Sequence, residues 1–178
     1  MKKEILSNIK NGEIFSIAGI EFIKFFDTDG ITTAVAKDSI GNYRFGDNNN
    51  FAESKIKKML EKDFLSKIEA EIGAENIVEH EVDLLSLDGS DKWGKVKCKV
   101  SLPTFDFYRK NVKIFDKYKL DDWWWTATPD STSEHYNDFW LVCVSPNGNI
   151  YGLSYGYDSS GVRPFLTFVS SISISCEK

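Results

Sequence analysis

The sequence predicts a single α+β domain over residues 1–178. Three observations predict it: one long amphipathic helical stretch, short apolar runs between turn residues on both sides of it, and an abrupt change of composition at Trp123. With 42% hydrophobic, 14% aromatic and 28% charged side chains, the composition is globular and excludes disordered, collagen-like and coiled-coil classes. A chain of this length buries roughly 70% of the surface it exposes when unfolded, so a core forms without disulfides or metals.

Glu13–Ile17 and Glu21–Phe26 are Ile- and Phe-rich runs separated by Ala18-Gly19-Ile20, which predicts two strands joined by a tight turn. Ile31–Ala36, after Asp29-Gly30, is a third strand. From Ala52 to Ile72 the apolar residues Ile56, Met59, Leu60, Phe64, Leu65, Ile68 and Ile72 recur three or four apart, the period of an amphipathic helix, with a break near Asp63. Asn50 caps its start, Glu53 suits its first turn and Gly73 ends it. Ile77–Val82 is a strand before the turn-prone Asp88-Gly89-Ser90-Asp91, and Thr104 caps a short helix carrying Asp106 early and Arg109 and Lys110 late.

Beyond position 122 the only basic residues are Arg163 and Lys178, while close to half of all aromatic residues crowd into 123–168. The chain therefore divides by composition into a helical N-terminal part, about 1–120, and a β-rich, loop-bearing part, about 121–170. In the second part Phe139–Val144 and Asn149–Tyr155 read as a hairpin around Ser145-Pro146-Asn147-Gly148, Val162–Phe168 as a last strand, and Ser170–Ser175 as a terminal edge strand.

Net charge is −5, with 22 Lys and Arg against 27 Asp and Glu, which argues against a nucleic-acid surface. No apolar run approaches the roughly 18 to 20 residues needed to span a bilayer, so no membrane insertion is expected. The N-terminus shows no secretory signal, because Glu4, Asn8, Lys10, Asn11 and Glu13 interrupt it. Cytoplasmic synthesis is the expectation, with association with a virion left open. Cys98, Cys143 and Cys176 are odd in number and far apart, which fits reduced thiols rather than disulfides or zinc.

Five segments carry a resemblance: Asn50–Ile56 opening the helix, Val82–Gly89, Val100–Thr104, Asp121–Pro129 with its tryptophan run, and Gly161-Val162-Arg163-Pro164. Over roughly residues 10 to 170 the chain resembles a family of uncharacterised domains of Gram-positive bacteria and their phages that share a C-type-lectin-like fold. The C-terminal organisation is also similar to that of formylglycine-generating enzymes and of the variable proteins of diversity-generating retroelements. The resemblance implies two helices flanking twisted antiparallel sheets, with binding loops between about Pro129 and Gly161. It implies no known activity, and the cysteine pair of the oxidase relatives has no matching motif here.

In a strand, Trp123 and Trp125 share one face and Trp124 takes the other, so at least one of the three belongs to the core and the opposite face can serve as an aromatic platform. Two stretches interleave small polar residues with aromatics, 130–140 and 151–161, a composition suited to recognition loops. The expected ligand-binding residues are Trp125, Tyr136, Asn137, Asp138, Trp140, Tyr151, Tyr155, Tyr157 and Asp158. Asn137-Asp138 is the one pair that raises calcium, a cation wanting about six to eight oxygens. The tripeptide that calcium-dependent lectins add is missing, and no cofactor is expected. His80 and His135 lie far apart in sequence, giving no triad, and the glycines never fall into a phosphate-loop spacing. Arg163 reads as structural, stacked on an aromatic ring or paired with a buried acid.

The expected function is a non-enzymatic ligand-recognition module, phage or prophage encoded, binding a host-surface glycan or protein through these aromatic loops. One alternative is an intracellular factor acting on a host protein. The other is a carbohydrate-active enzyme using Asp130 with Asp138 or Asp158.

Overall fold

The computed structural model describes residues 2–131, 139–156 and 159–176. Its strands are β1 (Lys2–Ile5), β2 (Ile14–Ile17), β3 (Ile20–Thr28), β4 (Ile31–Ala36), β5 (Asn42–Tyr43), β6 (Ile77–Val78), β7 (His80–Asp83), β8 (Lys95–Cys98), β9 (Val100–Ser101), β10 (Trp124–Pro129), β11 (Trp140–Val144), β12 (Ile150–Ser154), β13 (Ser160–Gly161), β14 (Phe165–Val169) and β15 (Ser173–Cys176). The helices are α1 (Lys55–Met59), α2 (Leu65–Ile72), α3 (Phe105–Lys110) and α4 (Val112–Phe115).

Ala18 and Gly19 both take positive φ, 53° and 73°, and close a two-residue turn in which Ile17 pairs with Ile20. Asp29 and Gly30 repeat this between β3 and β4 with φ of 51° and 76°. Such turns match the right-handed twist of the flanking strands. α1 and α2 form one helical run through a π-helical turn at Leu60–Phe64, which is the break expected near Asp63. The Asn50 side chain accepts from Ala52 N–H and Ser54 from Lys57 N–H, so the start is capped twice, and Gly73 at φ 86° ends it. Thr104 caps α3 by accepting from Phe107 N–H.

The larger sheet has the order β1-β15-β2-β3-β4-β14-β6, with β9 also on β14, and all its pairings are antiparallel. The second has the order β12-β11-β10-β13-β5, antiparallel except for β10 with β13, and β7 with β8 forms a third. The architecture is α+β and mostly sheet. Among the described residues no helix is long and apolar enough to cross a membrane.

Alternation along β3 and β4 sends Phe22 and Ala34 to one side and Ile23 and Val35 to the other. The first side packs with Ile56, Leu60, Phe64 and Ile68 of the helix and Trp125, Ala127, Leu141 and Cys143 of the second sheet. The opposite side packs with Tyr108, Phe115, Trp124 and Val144. Both cores draw on residues from either side of position 120, and strands from either side share the larger sheet. The expected division into a helical and a β-rich part is thus one of composition, because strands distant in sequence find each other through burial.

Two further expectations are corrected. Ile77–Val82 is two strands in different sheets, β6 on β14 and β7 on β8. The terminal strand β15 does not lie at an edge: β1, absent from the sequence reading, pairs along its outer side. The Ser-Ile alternation there puts Ile172 and Ile174 into the core, which an edge reading does not need.

Candidate ligand-binding hairpin

β11 and β12 are in continuous register from Trp140 with Ser154 to Val144 with Ile150, with no bulge. Phe139 O accepts from Tyr155 N–H at one end and Asn149 O from Ser145 N–H at the other. Antiparallel alternation then turns the main-chain groups of Tyr151 and Leu153 toward β11, and those of Ile150, Gly152 and Ser154 toward the outer edge.

The side chains alternate accordingly. Trp125, Cys143 and Tyr151 share one face, and Val142, Gly152, Trp140 and Ser154 share the other. Tyr151, 52% exposed, meets the half-buried Trp123 edge to face at 5.0 Å between ring centroids. Trp140, 40% exposed, rests on Phe139 at 4.9 Å, and Phe139 in turn contacts Tyr155 at 5.3 Å. Trp140 and Tyr151 therefore flank the hairpin on opposite faces and do not form one flat platform.

Trp125 is corrected outright as a contact residue. It is fully buried, its Nε1–H donates to Tyr43 O at 2.7 Å, and its ring packs on Phe45. Trp124 is buried in the opposite core, so of the three tryptophans only Trp123 reaches the surface. Tyr155 is half-buried against the first core. Tyr136, Asn137, Asp138, Tyr157 and Asp158 lie outside the described residues.

The start of the hairpin is held by Asn49. This fully buried amide donates to Ser131 O and Trp140 O, each at 2.9 Å, and its Oδ1 accepts from Trp93 Nε1–H at 2.9 Å. Sequence reasoning missed Asn49 and Trp93: Asn49 sits in a run of three asparagines of which only Asn50 has a sequence signal, as a helix cap, and its role depends on partners 82 and 91 residues away.

Asp130 lies over Gly152. A Cβ at Gly152 would stand 2.9 Å from Asp130 Oδ2 and 3.8 Å from Trp140 Cβ, so glycine is what lets the carboxylate sit there. Asp130 N–H donates to Trp140 O, and Ser131 Oγ donates to Asp88 Oδ2. Burial first, and nearby Asp88 second, raise the Asp130 carboxyl above its ordinary range. Among the described residues Asp130 makes no ion pair.

The other polar constellations are engaged elsewhere. A cleft of about 830 Å3 runs past Gly19, Glu21, Asp38 and Glu71, away from the hairpin. Its acids already serve the fold, Glu71 accepting from Ala18 N–H and Glu21 pairing with Lys37. Cys98 and Cys143 are buried thiols, and burial pushes the Cys98 thiol up to about 11, which suits a small apolar residue and not a nucleophile. Among the described residues no cluster of His, Cys, Asp and Glu could hold a metal ion.

Compared with family models, with curated proteins and with solved structures, the chain matches none.

Proposed function

We propose that this protein is a non-enzymatic recognition domain of C-type-lectin-like architecture, which binds a partner displayed on a host surface, glycan or protein, through the β11–β12 hairpin. The observation that carries the reading is that Tyr151 and Trp140, the two most exposed aromatic side chains among the described residues, both project from this one hairpin. Exposed Tyr and Trp bury large areas at low entropic cost and dominate interface energetics. Asn49 fixes the Trp140 carbonyl, and Phe139 and Trp123 pack against the Trp140 and Tyr151 rings, so little conformational freedom is lost on contact. The resemblance over residues 10 to 170 supports the same architecture, with its loops at this end.

The test is binding of purified protein to a glycan array and to a panel of purified envelope proteins, with calcium and with chelator. A ligand whose capture falls about tenfold or more in Tyr151→Ala or Trp140→Ala, with near-UV circular dichroism otherwise intact, is the expected result. Capture of every ligand unchanged in both variants overturns the assignment.

A further inference from the structure

This inference rests on the recognition reading and deepens it: we infer that β12 accepts an extended peptide segment of the partner as a sixth, antiparallel strand, with cationic side chains toward Asp130 and Trp140 and apolar ones toward Tyr151 and Trp123.

The edge itself is the first observation. β12 ends the second sheet, and no strand pairs along its outer side among the described residues. Natural edges are blunted by lysine, proline or a bulge. Ile150–Ser154 contains no charged residue and no proline, and its register on β11 is unbroken. The main-chain groups of Ile150 and Gly152 point to this edge at the two-residue spacing that an added strand presents. A sugar has no such repeat.

The flanking side chains are the second. An added strand sends alternate side chains to opposite faces, and the hairpin offers a different environment on each. The residue opposite Gly152 meets the Asp130 carboxylate and the Trp140 ring, which together attract a lysine or arginine by charge and by the ring quadrupole. Its neighbour, opposite Tyr151, meets the Tyr151 and Trp123 rings, an apolar and aromatic surface.

Charge complementarity selects the partner. Neither β11 nor β12 bears a basic residue, and among the described residues beyond position 122 the sole base is Arg163, which is buried. An acidic segment would add a like charge beside a carboxylate already raised by burial and by Asp88. A cation there pairs with a carboxylate that makes no ion pair among the described residues.

The probe is a short acetylated peptide alternating lysine and valine, titrated into the 15N-labelled full chain. The expected response is amide shifts confined to β12 and its flanks, slowed hydrogen exchange at Ile150 and Gly152, and weakening of about fivefold or more in Asp130→Asn. A glutamate–valine peptide gives no response. In antiparallel pairing the residue opposite Gly152 turns its own N–H and C=O toward β12. Methylation of the lysine main-chain nitrogens therefore abolishes the response, and methylation of the valine nitrogens leaves it. Equal binding of both methylated peptides overturns strand addition and leaves side-chain recognition standing. So does a Tyr151-dependent glycan or folded-protein ligand with no peptide response. Dimerisation through β12 with no peptide response replaces this occupant with a second copy. If no ligand of any class depends on Tyr151 or Trp140, both readings fall together.

Discussion

The Arg163 guanidinium stands over the Trp124 ring, 5.2 Å from its centroid, with the Phe115 ring at 5.3 Å. Its Nε donates to Ala36 O at 3.0 Å and its Nη2 to Lys37 O at 2.7 Å. Arg163, which lies between β13 and β14 and not inside the strand expected from Val162 onward, thus ties β4 to the second core, and stacking, the first of the two structural roles expected of it, is the one the fold uses. Burial draws its pKa down to about 10, so it stays charged at neutral pH. Arg163→Ala removes a buried cation and leaves two carbonyls without their donor. It should lower unfolding free energy by about 3 kcal/mol or more, measured in denaturant. Arg163→Lys, which cannot reproduce the planar fork, should recover only part of this.

Asn49→Ala removes one acceptor and both donors from a fully buried junction. A cost of about 2 kcal/mol is expected, with a changed Trp93 environment seen by fluorescence. Because Trp140 O loses a ligand, any partner of the hairpin should also bind more weakly than the stability loss alone would require.

The tryptophans separate burial from contact. Trp125→Ala empties a fully buried site and leaves Tyr43 O without its donor, for an expected loss of about 3 to 5 kcal/mol. Tyr151→Ala, at a half-exposed site, should cost about 1 kcal/mol or less, while showing the loss of binding that the proposed recognition role requires. Paired thermal melts of the two variants check the contrast.

His80 sets an acid limit. Its Nε2 shares a hydrogen bond with the buried Ser101 Oγ at 2.8 Å, Phe165 packs on its ring at 4.8 Å, and burial holds its pKa down to about 4, opposed in part by the Val78 backbone. The unfolded imidazole titrates near the ordinary histidine value of 6.5. Between these values the unfolded state binds more protons than the folded one, so stability falls as pH drops from 6.5 toward 4, by about 3 kcal/mol in all. Difference unfolding curves of wild type against His80→Gln should isolate this slope. Acid loss of the Lys24–Asp27 pair remains in both, since Asp27 is lowered chiefly by Lys24 and Thr32 against its burial.

Much of the fold was legible because it is written in short-range pattern. Alternation and turn residues marked β2, β3 and β4, three- and four-residue spacing marked the helix with its break, and Thr104 announced α3. The two-residue strands β5, β6, β9 and β13 are too short to show a period, and pairing with a distant partner makes them strands.

The same division runs through the site. Residue identity alone makes the C-terminal part aromatic and nearly free of bases, and the two-residue period of a strand sends Trp124 and its neighbours to opposite faces. That Trp125 is core and Tyr151 is surface, although the two share a face of one sheet, comes from packing between layers. The helix and the larger sheet cover the middle of that face and stop short of its edge, and where a covering layer ends depends on contacts that no local pattern records.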